Sequence, residues 1–312
     1  MKPTTKPVSD DTQSIQLLPH WVTSSQSEVI ETVAFASGAA LAMLDVVLRN
    51  PRTTLPGALL RDRLALDAAA ACLVLESRNE SPSDIRDSVC LARAGDALGP
   101  AGEMFVAWRN VARINFAVGG WKARVGKVLP ASVAEAVSEF DAVAGTPVRQ
   151  ASEILARVLR QFPREEAAAL MLADVALARA IGWDRPAPLL AAHMVRRDIR
   201  EIADGAGDPV HSVHRVMIAA CDGAIRSAAD LERRATQLQA IAPKLRAKGS
   251  DDALALFLTH DAVSPSGMLS PMVKGTSVAM TDRAARRLCD RLVELGVVRE
   301  LTGRPTFRLY GV

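Results

Sequence analysis

Rings are scarce in this chain. Phe, Trp and Tyr together make up 4% of 312 residues, and there is one tyrosine. Alanine and leucine dominate instead. That balance favours closely packed helices over sheets, because alanine has high helix propensity and lets helix backbones approach. Cysteine is equally sparse. Cys72, Cys90, Cys221 and Cys289 are far apart, and no pair has the spacing of a metal knuckle or a redox motif. The expectation is a reducing, cytoplasmic setting, with Cys72 and Cys289 as small core residues on apolar helical faces. No uncharged apolar run reaches the roughly 18 residues of a membrane span. The polar opening MKPTTKPVSDDTQS has no apolar run behind it resembling a secretory signal.

Motifs that announce chemistry are also missing. There is no G-x-G-x-x-G, no phosphate loop, no H-E-x-x-H and no G-x-S-x-G. The pair Gly119-Gly120 is weak evidence for a ligand loop. His193, His211, His214 and Cys221 can be assembled into a metal site on paper, but their spacing matches no ligand pattern, and surface or capping roles are the plainer reading. Asp45, Asp62 and Asp67 lie among leucines and alanines and read as partners for arginine in a helical core rather than as catalytic carboxylates. No cofactor is implied, and an enzyme with a dispersed site among the central helices is the remote reading.

What is present is a succession of caps, apolar periods and stops. Residues 1–19 read as a flexible lead-in, with Trp21 as a packing anchor at the first docking point. Helices are expected over about 28–48, 56–76, 81–92, 103–115, 131–144, 147–160, 165–181, 189–203 and 213–248, the last kinked or divided at Pro243. The domain reading is therefore a helical body over 20–248, with a boundary at Lys248-Gly249-Ser250, and a small module over 250–312. No fixed repeat period supports a solenoid.

The module carries the most specific pattern, TDRAARRLCDRLVELGVVRELTGRPTFRLYGV from Thr281 to Val312. Thr281 caps a run that ends at Gly296. Ala284, Ala285, Leu288, Cys289, Leu292 and Leu295 share one helical face, and Arg283, Arg286, Arg287, Asp290, Arg291 and Glu294 share the other. Two short β-prone runs, 297–301 and 306–310, follow around the turn 302–305. Helix, glycine corner and hairpin is the order that closes a winged helix-turn-helix. The loose spacer 263–280, with a short middle helix at most, fits that plan least well. Overall the fold class is all-α: a multi-helix body with a C-terminal winged helix-turn-helix-like module.

Charge points to the same end. The chain is +3 overall, and from Thr281 onward seven arginines face four carboxylates, a surplus of three, so the rest is balanced. Two readings stand. In the first, Thr281, Arg283, Arg286, Arg287, Arg291, Arg304 and Arg308 contact double-stranded DNA: the helix meets bases and phosphates, Arg304 is the tip of the wing, and Arg299 supports the surface. The body then provides dimerisation or a partner surface in a regulatory accessory protein. In the second, the module packs on the body or on a protein partner, and the arginines only solubilise it.

Four stretches also carry a family resemblance: ASGAALAMLDVVLRNP (36–51), PGALLRDRLALDAAAACL (56–73), LARAGDALGPAGEMFVAWR (91–109) and residues 282–311. With them the chain resembles alphaproteobacterial, often rhizobial, proteins of roughly 300 residues classed as a domain of unknown function. That resemblance implies no activity. The tail is also similar to the winged-helix tails of Fic-type proteins. Their H-P-F-x-x-G-N-G-R motif has no counterpart here, since none of the five histidines precedes Pro-Phe. The likeness therefore implies tail architecture and not nucleotidyl transfer.

Overall fold

The structure, a computed structural model, describes residues 14–24, 29–93, 95–135, 137, 144–245, 249–304 and 306–312. Local signals set most helix starts. A single turn, α1 (His20–Thr23), precedes α2 (Ile30–Arg49) and α3 (Gly57–Leu75). Ser81 and Asp84 form a reciprocal capping box at α4 (Pro82–Cys90), and Pro82 sits where its missing N–H costs nothing. Next come α5 (Gly99–Ala112), α6 (Trp121–Gly126) and α7 (Ala131–Ala134). The Thr146 side chain accepts from Arg149 N at 3.3 Å to start α8 (Pro147–Gln161). Helix α9 (Glu166–Ile181) stops at Gly182, whose φ of +81° is the left-handed conformation of a glycine C-cap. After α10 (Arg196–Ala203), Asp208 caps the longest element, α11 (Pro209–Ile241). Pro243 then forces a 3₁₀ turn, Ala242–Lys244, as the sequence suggested.

The most extensive helix pairs are α8 with α9, α2 with α11, and α3 with α5, and α11 also rests on α8 and α3. Leu155 and Leu159 of α8 meet the α9 layer of Leu170 and Leu177, all fully buried. Each such leucine contributes about 2 kcal/mol of transfer free energy. Buried Ala169, Ala173 and Ala178 allow the close approach that composition implied. By length and composition α2 could cross a membrane. In the fold, Val33, Ala36, Ala40, Leu44 and Val47 form its buried side, and Ser37 Oγ lies 2.7 Å from His214 Nδ1 of α11.

Several expectations need correction. The helix expected over 189–203 begins only at Arg196. Asp174, buried in α9, accepts the Leu189 N–H at 3.0 Å and the Leu190 N–H at 3.3 Å, which holds that stretch as an irregular turn. Here a long-range carboxylate overrides helix propensity. The helix expected from Glu103 starts four residues earlier, and α11 starts at Pro209 rather than Val213, because a proline is accepted in the first turn. Trp21 is not the anchor. Leu18 and Val22 are buried, while Trp21 is 54% exposed and stacks on the 70% exposed Phe35, with ring centroids 5.7 Å apart. Of the core aspartates, Asp62 is buried and bonded to Arg113, Asp45 pairs with Arg49 at 2.6 Å, and Asp67 is exposed. Half of the helix expected over 131–144, the first thirteen residues of the lead-in, and part of the boundary at Lys248–Ser250 lie outside the described residues.

The C-terminal segment is built on α12 (Ser250–Phe257), α13 (Asp282–Glu294) and a small antiparallel pair, β1 (Arg299–Glu300) and β2 (Tyr310–Gly311). Val263 bridges Tyr310 from the other side, exchanging N–H···O bonds of 2.8 and 3.0 Å. Between Val263 and α13 lie a five-residue turn, Pro265–Leu269, and an antiparallel bridge of Met272 with Ala279. The fold is thus an all-α multi-helix body with a small C-terminal β-hairpin.

Candidate nucleic-acid interface and the adjoining cleft

Helix α13 is oriented by its apolar face. Ala285, Leu288, Cys289 and Leu292 are buried, and burial pushes the Cys289 thiol up to about 12, so it is a packing residue. The Thr281 hydroxyl accepts from Ala284 N at 3.3 Å, so the start of the helix is capped by its own chain. The opposite face is uncovered: Arg283, Arg286, Arg287 and Arg291 are all exposed. Arg286 reaches back to Asp282 at 2.9 Å, and Arg291 forward to Glu294 at 3.0 Å. Both are surface pairs of the kind that contributes about 0–1 kcal/mol and yields readily to a stronger anion. Arg283 and Arg287 make no ion pair among the described residues.

The remaining arginines of the expected site are placed differently. Arg304 is half exposed, and its guanidinium lies 3.6 Å from Asp87 of α4. Arg308 donates through Nε to the Arg304 carbonyl at 3.3 Å and shares a hydrogen bond with the Tyr310 hydroxyl, whose pKa burial raises. Arg299 is exposed at the start of β1. The structure therefore exposes the four α13 arginines, places Arg304 beside Asp87 of the body, and keeps Arg308 bonded within its own segment.

Body arginines hold the segment in place. Arg63 of α3 pairs with Asp261 at 3.0 Å and donates to the Val312 carbonyl. Arg86 of α4 donates to Asp87 at 3.1 Å and to the Leu301 carbonyl at 3.3 Å. Gly311 is required beneath this clamp, because a Cβ there would stand 2.5 Å from the Asp261 carbonyl oxygen.

Sequence reasoning missed the space between the two parts. A cleft of about 900 Å³ lies between the α4–α5 corner and the C-terminal segment. Arg93 and Arg109 line it from the body, and Lys274, Arg286 and Arg308 from the segment, against a single lining carboxylate, Asp290. No spacing rule connects these positions, so only the fold brings them together.

Cys72 and Cys221 are buried and serve packing. His214 bonds Ser37, as above, and burial pushes the Cys221 thiol far above its ordinary value and the Cys72 thiol to about 12. Among the described residues, no three His, Cys, Asp or Glu side chains are grouped to hold a metal ion.

No curated protein matches the chain. A family model does match, over residues 6–312, which takes in the helical body, the clamp and the arginine face alike. The chain belongs to the family described as "Protein of unknown function (DUF1403)".

Proposed function

We propose that the protein binds double-stranded DNA through α13, with the C-terminal segment acting as a winged helix-turn-helix-like module of a regulatory accessory protein. One observation carries this reading: the face bearing Arg283, Arg286, Arg287 and Arg291 is uncovered by the body. The ribbon of Val263, β2 and β1 beside α13 supports it. In this reading the short turn Pro265–Leu269 takes the place of a regular middle helix. Phosphate contact by exposed arginines supplies affinity, and guanine edges supply choice of sequence.

The test is fluorescence anisotropy of a labelled duplex at several salt concentrations. Binding should weaken with salt, and the double variant Arg283→Ala with Arg287→Ala should lower the slope of log K against log salt by about 2. Salt-independent behaviour, or an unchanged slope in the variant, rejects the reading.

A second reading, a protein-interaction adaptor, is favoured by the exposed apolar face of Trp21, Phe35 and Val46. Sedimentation of the wild type beside Phe35→Ser separates it. An assembly that dissociates in the variant supports an adaptor or self-association.

A further inference from the structure

The cleft between α4–α5 and the C-terminal segment has a composition unlike the rest of the surface. Five cationic side chains line it with one carboxylate. Its most unusual member is Arg109. This arginine lies on α5, within the body, with its guanidinium 5.1 Å above the Phe105 ring. Its Nε is buried and has no hydrogen-bond partner among the described residues. Burial, and then the neighbouring Arg113, lower its pKa. A guanidinium stays charged in proteins, so Arg109 is a partly desolvated cation whose nearby carboxylate, Asp62, is already hydrogen-bonded to Arg113. An unsatisfied buried donor is costly, and an acceptor supplied by a ligand at this site would offset that cost.

The second observation is the opposite wall. Phe307 is 69% exposed at the cleft and has a φ of +56°, a left-handed conformation that bulky residues rarely adopt. Met268, Pro265 and Leu91 continue the apolar lining. His260, whose pKa burial and Lys274 depress, is neutral at pH 7 and adds a polar group without charge. Anion-seeking groups and an apolar wall within one cavity form the usual composition of a small-molecule site.

We propose that this cleft binds a small organic phosphate, with the anionic group held by Arg109, Lys274, Arg286 and Arg308 and the organic part against Phe307 and Met268. Arginine forks suit phosphate geometry, and a dianion matches a lining with a surplus of four positive charges. A phosphate of a duplex backbone is the other source of this chemistry. The recessed place of Arg109, on a body helix and not on the α13 face, favours a free small molecule. The site shares Arg286 with the proposed DNA-binding face, and Arg109, which belongs to the cleft alone, keeps the two readings distinguishable.

The probe is phenyl phosphate, titrated calorimetrically into the full chain, with benzyl alcohol as the neutral counterpart and a short duplex as competitor. Phenyl phosphate should bind saturably, with a Kd of about 1 mM or tighter, and benzyl alcohol should not. Arg109→Gln should weaken phenyl phosphate at least about 10-fold and leave duplex affinity unchanged. If Arg109→Gln fails to fold, Lys274→Ala, at an exposed cleft residue outside the proposed DNA-binding set, gives the same readout. The site is overturned if phenyl phosphate gives no saturable heat, if benzyl alcohol binds equally well, or if neither variant weakens binding. It is also overturned if Arg109→Gln abolishes duplex binding while phenyl phosphate is ignored, which would assign the cleft to the nucleic-acid backbone.

Discussion

Arg63, Arg86, Arg113, Arg124 and Arg196 of the helical body turn onto other elements, whereas the arginines of α13 reach acids of their own helix or open solvent. Arg196 donates to the Val74 and Leu75 carbonyls at the end of α3. Arg124 closes the turn at Asn115, Val118 and Gly119 through their carbonyls, and Arg113 holds Asp62. These guanidiniums satisfy carbonyls that a helix end or a turn leaves without partners. On α13 the pairs are one turn apart and exposed. The same side chain is thus a structural fastener in one region and an available cation in the other. What separates the two uses is whether a dangling carbonyl or buried carboxylate lies within its reach.

The contrast can be broken most forcefully in the body. Leu170→Ala, in the α8–α9 layer, should cost about 2–5 kcal/mol in urea denaturation. A loss below about 1 kcal/mol would mean that the layer collapses around the gap and is not the core described. Next in size is Arg63→Met, which leaves Asp261 half of a mostly buried pair and should cost about 2 kcal/mol. Hydrogen exchange should then quicken in 299–311 while α8 and α9 stay protected. Equal acceleration in both regions would show that the clamp supports the whole fold rather than the segment.

Asp174 gives a smaller, pH-dependent effect. Burial raises its carboxyl pKa well above the ordinary 3.8, so ionisation is disfavoured in the folded state. Its contribution is therefore greatest below about pH 3.8 and declines as pH rises through the folded value. Asp174→Asn cannot ionise, and its deficit relative to wild type should shrink from acid toward neutral pH. A deficit that grows with pH would reverse the assignment. The smallest effect belongs to α13: Arg283→Ala with Arg287→Ala should change stability by no more than about 0.5 kcal/mol. A larger loss would make these arginines fasteners too.

Much of the helical order could be read along the chain, because caps and stops are local. Ser81, Thr146, Gly182, Pro243 and Thr281 each act within one turn of where they stand. Failures came where a distant group decides. Leu189 and Leu190 follow Asp174 rather than their own propensity, and Trp21 yields the core to Leu18 and Val22. The arginine face was visible as a helical period. The cleft was not, since Arg109 and Arg286 are far apart in sequence and meet only through the clamp of Arg63 and Arg86.

Helix α11 has a consequence for how such a chain can vary. Its 33 residues run unbroken for about 50 Å. It rests on α1, α2, α3 and α8 along that length. Inserting one residue near its middle would turn everything beyond by about 100° and misalign two sets of neighbours at once. Length changes should therefore be tolerated around Gly205–Gly207 and rejected between Val213 and Leu238. A set of single-residue insertions, scored by soluble yield, would map that forbidden interval directly.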